Sequence, residues 1–78
     1  MSKLIMYGRP NCDGCNKSKT LLKVRQIAYE YVDITEGRGG IAFYSDFPDA
    51  KSVPQIIRDD GYIIGGFRDL VTYLENPT

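Results

Sequence analysis

Cys12-Asp13-Gly14-Cys15 holds both cysteines of a chain that has no histidine. The pair falls where an apolar run gives way to an amphipathic stretch. Lys3-Leu4-Ile5-Met6-Tyr7 is short, apolar and closed by Gly8 and Pro10, which reads as a buried strand. From about Asp13 to Gln26 there is no proline and no β-branched cluster. Cys15, Ser18, Leu22 and Arg25 fall on one stripe, with Leu21 and Val24 on the next. That spacing predicts an amphipathic helix of about fourteen residues. Asn11 or Cys12 stands at its entry, and Asn is a favoured N-cap.

Other uses of two close cysteines are restricted. A structural zinc site usually takes four Cys or His ligands, so one chain cannot build it from these. A bridge across so short a loop constrains the unfolded chain by only roughly 2 kcal/mol. Secreted domains with 78 residues usually carry several bridges, and this chain has two cysteines in all. A close pair at a strand-to-helix junction therefore points to redox chemistry. A metal site shared between two chains, or a chance pair, is the alternative.

Further along, Tyr29-Glu30-Tyr31-Val32-Asp33-Ile34 alternates and is rich in β-formers, so it reads as a second strand. Ile41-Ala42-Phe43-Tyr44 is compatible with a short helix confined by Gly37, Gly39, Gly40 and Pro48. Pro54 to Arg58 reads as a third strand. Asp60-Gly61 is a hairpin signal, and Tyr62-Ile63-Ile64 follows as a fourth. Leu70, Val71 and Leu74 give Arg68 to Leu74 a helical period. The order β-α-β-(α)-β-β-α predicts an α/β fold with a four-stranded mixed sheet. Its first β-α-β is a parallel pair with a right-handed crossover, and its last two strands are antiparallel. The length fits one domain over residues 1–78.

Ten basic and ten acidic residues give a formal net charge of zero, which lacks the footprint of a nucleic-acid binder. No stretch approaches the ~18 apolar residues of a membrane span, and the N-terminus lacks the pattern of a secretory signal. The expected location is the cytoplasm. Six tyrosines and three phenylalanines are assigned to core and surface packing, with Phe67 as an exception beside a protein-docking face.

The chemistry follows from position. At the start of a helix, unpaired backbone N–H groups and the positive end of the dipole surround the Cys12 sulfur, and both favour a thiolate. A free thiol with a pKa near ~8.5 is only a few per cent ionised at neutral pH, while one lowered to ~7 is about half ionised. Cys15 is one helical turn further on and more shielded. Cys12 attacks and Cys15 resolves. Asp13 offsets some of the thiolate stabilisation, and Arg9 and Lys17 counter it. Gly14 lacks a side chain and is expected to leave the motif open to an approaching partner.

These residues resemble the glutaredoxin family, on the thioredoxin fold. Tyr7 and Arg9 precede the Cys-x-x-Cys, Ser52-Val53-Pro54 resembles the family's Thr-Val-Pro, and Gly65-Gly66 with Phe67-Arg68-Asp69 resembles the Gly-Gly before the last helix. The compact length and the Gly-Gly-Phe ending are similar to phage-type glutaredoxins, which would make the location a host's cytoplasm. The resemblance implies a cis Pro54 that turns the Val53 backbone outward to pair with a substrate cysteine. It implies a glutathione groove: Arg9 facing the glycine carboxylate, Asp69 and the Arg68 backbone at the γ-glutamyl end, Gly65 and Gly66 permitting close approach. The Arg68 side chain adds a second carboxylate contact, and Lys51 is a candidate for the family's usual basic residue.

The implied activity is that of a glutathione-dependent thiol–disulfide oxidoreductase. It would be a monomer with no tightly bound cofactor and no metal. It would reduce protein disulfides and glutathione mixed disulfides, with ribonucleotide reductase as a partner. Asp13-Gly14 replaces the Pro-Tyr of most dithiol members, and Gly-Phe-Arg is similar to glutaredoxin-like hydrogen donors that draw electrons from thioredoxin reductase. A non-catalytic iron–sulfur carrier formed by two chains is a third alternative.

Overall fold

The alternation along β1 (Leu4–Gly8) decides what each face of the sheet must bury. Leu4 and Met6 point to one side and Ile5 and Tyr7 to the other. The computed structural model of the chain describes residues 3–48 and 52–75. Lys51 lies outside the described residues. After β1 come α1 (Asp13–Val24), β2 (Tyr29–Asp33), α2 (Gly39–Asp46), β3 (Gln55–Arg58), β4 (Ile63–Gly65) and α3 (Phe67–Glu75). The sheet order is β2-β1-β3-β4. β1 runs parallel to β2 and antiparallel to β3, and β3 is antiparallel to β4. This is the mixed α/β sheet that the element order predicts.

Two cores result. Leu4 and Met6 pack with Leu22 of α1, Ile56 of β3 and Leu70 of α3. On the opposite face Tyr7 packs with Phe43 and Phe47, supported by Ile5, Val32 and Ile57. The Tyr7 ring meets Phe43 and Phe47 edge-on, at centroid distances of 5.7 and 5.8 Å. Burying a side chain such as Leu22 or Phe43 contributes about 2 to 3 kcal/mol relative to exposure. Phe43 thus ties α2 to the sheet as Leu22 ties α1.

α1 buries Cys15, Ser18 and Leu22, three members of the stripe read from the sequence. The Ser18 hydroxyl donates to the Gly14 carbonyl at 2.7 Å, so this buried polar group is satisfied within its own helix. Val24 is 72% exposed, because it lies more than half a turn round the helix from Leu22.

The helix ends at Val24, two residues before the predicted Gln26, for a local reason. Gln26 takes φ 56°. Its N–H reaches the Lys23 carbonyl at 3.1 Å, and the Ile27 N–H reaches Leu22 at 2.9 Å. These are the paired bonds of a Schellman ending, which normally has glycine at the left-handed position. A Cβ there costs about 1 kcal/mol. Gln26→Gly is therefore expected to stabilise the protein by about 0.5 to 1 kcal/mol, raising Tm by several degrees in thermal unfolding. An unchanged or lower Tm would contradict this account of the helix end.

The hairpin between β3 and β4 forms as the Asp-Gly signal predicts. The Gly61 N–H donates to Arg58 and the Arg58 N–H to Tyr62, at 2.9 and 2.8 Å. Gly61 supplies the positive φ of 97° that the turn requires. Asp60 braces the turn, accepting from the Tyr62 N–H at 3.1 Å and pairing with the Arg58 guanidinium.

Candidate active site

The loop after β1 delivers Cys12 to the start of α1. Asn11 takes φ 60°, a left-handed conformation that asparagine tolerates better than most residues. Cys12 then returns to an extended conformation as the N-cap, with φ −110° and ψ 111°. Its sulfur accepts the Cys15 N–H at 3.1 Å. The sulfur thus occupies the place of a capping Ser or Asp oxygen. It takes up one of the donors that the helix start leaves unpaired, and it lies at the positive end of the dipole.

Cys12 and Cys15 are joined as a disulfide, with Cα atoms 5.2 Å apart. Cys12 is 7% exposed and Cys15 1%, so the first cysteine is the one that solvent and substrates reach. The Val53 carbonyl lies 3.7 Å from the Cys12 sulfur. In the reduced protein that carbonyl can accept from a Cys12 thiol, while the Cys15 N–H favours the thiolate. Asp13 is exposed and its carboxylate is paired with Lys17 at 3.1 Å. The charge opposing a Cys12 thiolate is thereby partly offset.

The Val53–Pro54 peptide bond is cis, as the resemblance implies. Pro54 is buried against Gly14: a Cβ on Gly14 would lie 3.0 Å from Pro54 Cδ and 3.9 Å from Phe67 Cβ. The expectation that Gly14 leaves the motif open is therefore corrected. The space is filled by the proline ring, and the missing side chain lets the two segments pack.

Gly66 continues the same surface, since a Cβ there would meet the Pro54 carbonyl at 3.6 Å. The Gly66 N–H donates to Asp69 Oδ2 at 3.1 Å. Asp69 is thus the reach-back half of a capping box at the start of α3. Gly65 has φ 115°, and a Cβ there would run into the Asp69 carboxylate. Cys12, Val53, Pro54, Gly66 and Asp69 form one continuous wall. Arg9 and Arg68 are exposed, and neither makes an ion pair among the described residues. Beyond Phe67 a shallow, mainly apolar groove runs between α1 and α3, lined by Asn16, Lys17, Thr20, Leu21 and Val24.

One neighbour of the cysteines is missing from the sequence reading. The sequence reading assigns Tyr31 to packing, yet its ring and hydroxyl converge with Cys15 over Gly8. A Cβ on Gly8 would lie 2.8 Å from Cys15 Sγ, 2.9 Å from Tyr31 Cε1 and 3.2 Å from its hydroxyl. Lys19 Nζ sits 3.7 Å from the Tyr31 ring centroid. Burial, then Asp33 and Glu36, push the Tyr31 hydroxyl above its ordinary pKa. Asp33 is held below the usual carboxylate range by hydrogen bonds from the Thr35 hydroxyl and N–H. The register of the sheet makes the contact: parallel pairing sets Met6 opposite Tyr31, which puts Tyr31 on the face that Gly8 shares.

Comparison with known proteins agrees with this geometry. The glutaredoxin family model matches residues 4–63. Glutaredoxin 1 from Francisella tularensis, complexed with cacodylate, is 25% identical with a TM-score of 0.79, over 99% of this chain and 96% of that one. Glutaredoxin from Brucella melitensis is 25% identical with a TM-score of 0.75, over 96% and 80%. A buckwheat glutaredoxin–glutathione complex is 18% identical with a TM-score of 0.78, over 97% and 71%, a likeness of fold. No curated protein matches the chain by sequence. With a capping cysteine, a buried partner one turn on, a cis-proline beside them and a family match over most of its length, the chain belongs to the glutaredoxin family and is a thiol–disulfide oxidoreductase of thioredoxin fold.

Proposed function

We propose that glutathione is the reductant, and that the protein reduces protein disulfides and glutathione mixed disulfides in the cytoplasm. The observation that supports this best is the continuous wall from Cys12 through Val53 and Pro54 to Gly66 and Asp69. Val53 offers main-chain groups beside the reactive sulfur, where an extended cysteinyl peptide can pair in strand-like fashion. Arg9 supplies a cation for the glycine carboxylate at one end. The start of α3, with Asp69 and Arg68, receives the charged γ-glutamyl end.

The reaction runs in two exchanges. The Cys12 thiolate attacks one sulfur of the substrate disulfide, and the other leaves as a thiolate. Cys15 then attacks Cys12, frees the second substrate sulfur and closes the Cys12–Cys15 disulfide. Two glutathione molecules return the dithiol and become oxidised glutathione. The groove beside Phe67 gives a protein substrate an apolar surface next to the cysteines. Ribonucleotide reductase, which needs a dithiol donor at each turnover, is the proposed physiological substrate.

Gly66-Phe67-Arg68, which resembles hydrogen donors that draw electrons from thioredoxin reductase, carries a second reading with that enzyme as the electron source, and Asp13-Gly14 lacks the aromatic contact that the family's Pro-Tyr offers glutathione. A coupled assay separates the two. NADPH consumption with glutathione and glutathione reductase is expected to exceed that with thioredoxin reductase by about tenfold or more, a difference of ~1.4 kcal/mol in the barrier. The reverse ratio would assign the protein to the thioredoxin reductase pathway.

A further inference from the structure

The buried Cys15 poses a problem that the two-exchange scheme leaves open. At 1% exposure its thiol is shielded from water, and burial disfavours the thiolate that must attack Cys12. Ionisation there needs a polar group inside the protein. Asp33 lies on the same face, but its carboxylate is engaged by Thr35 at 2.8 and 2.6 Å. The Tyr31 hydroxyl, by contrast, lies within 3.2 Å of the point where a Gly8 Cβ would sit, and the Cys15 sulfur within 2.8 Å of that point. Any side chain at position 8 would separate them.

The geometry points to Tyr31 as the hydrogen-bond donor that stabilises the Cys15 thiolate through the notch at Gly8. In the disulfide, the Cys15 sulfur is tied to Cys12. Once that bond opens, rotation about the Cys15 Cα–Cβ bond frees the sulfur to turn to the hydroxyl. Lys19 of α1, over the ring, adds positive charge on the same side. Asp33 and Glu36, on β2 and just beyond it, oppose ionisation of the tyrosine itself. β1 contributes Gly8 and Met6 to this contact, and neither titrates. Tyr31 therefore keeps its proton and acts as a donor, not a base.

The step balances without an added reagent. The Cys15 proton passes to solvent, and the Cys15 sulfur forms a bond to Cys12 Sγ. The bond from Cys12 to the substrate sulfur breaks, and the departing thiolate takes a proton from solvent. The two cysteines are oxidised and the substrate disulfide is reduced by the same two electrons.

This inference rests on Cys15 being the resolving thiol, and reaction of the reduced protein with dithionitrobenzoate tests both. Cys12 attack releases the first thionitrobenzoate in a phase that depends on reagent concentration. Cys15 releases the second in a phase that does not. Tyr31→Phe removes one oxygen and keeps the ring. It is expected to slow the second phase about tenfold near neutrality and to move its pH midpoint upward, leaving the first phase within about twofold. A second phase with unchanged rate and midpoint would overturn the inference, as would equal slowing of both phases. Release of one thionitrobenzoate per wild-type chain would overturn the assignment of Cys15 as well.

Discussion

Cys12→Ser is expected to abolish thiol–disulfide exchange, and Cys15→Ser to split the activity in two. A serine hydroxyl can cap α1 as the sulfur does, so the Cys12 variant keeps its fold and loses only its nucleophile. With Cys15→Ser, Cys12 still attacks a glutathionylated protein, and a second glutathione can complete the cycle from outside. Deglutathionylation should stay within about threefold of wild type, less than ~1 kcal/mol in the barrier. Reduction of an intramolecular protein disulfide should fall to background, because the chain has no second thiol to displace the substrate from Cys12, and the substrate's own freed thiol reverses the attack faster than external glutathione completes it. Rates on both substrates, with mass spectrometry of the trapped adduct, check the pattern. Residual activity in Cys12→Ser would overturn the assignment of the nucleophile. Unequal roles are expected because the Cys12 sulfur takes the Cys15 N–H at the helix start, while Cys15 is buried behind it.

Most of this site was legible because it is local in sequence. Cys12, Gly14 and Cys15 lie on one turn, and a strand-to-helix junction places that turn without tertiary knowledge. The cis Val53–Pro54 bond and the place of Gly65-Gly66 beside it were legible only through resemblance, since nothing in periodicity brings position 53 to position 12. Tyr31 stayed hidden for a different reason. Its alternation with Tyr29 marks a half-buried strand equally well whether or not a sulfur lies above it. Only the parallel register of β1 and β2, together with the missing side chain of Gly8, shows that it does. The role expected for Gly14 failed by the same logic, because an absent side chain reads as open space until the neighbour that fills it is known.

Gly39→Ala is expected to be among the most damaging single-methyl changes in the protein. The sequence reading treats Gly37, Gly39 and Gly40 as limits on a short helix around Ile41 to Tyr44. The structure instead starts α2 at Gly39 and continues it to Asp46, with Arg38 as an N-cap that makes no side-chain hydrogen bond. The helix gets little from its cap, so its position depends on packing. Gly39 passes directly over the end of β2, where an added Cβ would collide with the Asp33 backbone carbonyl and also meet Val32 Cγ1 at 3.2 Å. That carbonyl belongs to a paired strand and accepts the Glu36 N–H at 3.3 Å, so it cannot move aside without disturbing β2. The helix must shift instead, which loosens Phe43 and Phe47 from Tyr7. Overpacking of this kind costs about 2 to 3 kcal/mol. In a domain of this size Tm should fall by about 8 °C or more, measured by circular dichroism during heating. The exposed neighbour Gly37, with nothing within 4 Å of an added Cβ, is the control. Its φ of 51° makes Gly37→Ala cost about 1 kcal/mol for backbone conformation alone. If the two variants melt together, close approach of α2 to β2 is not what the glycine provides.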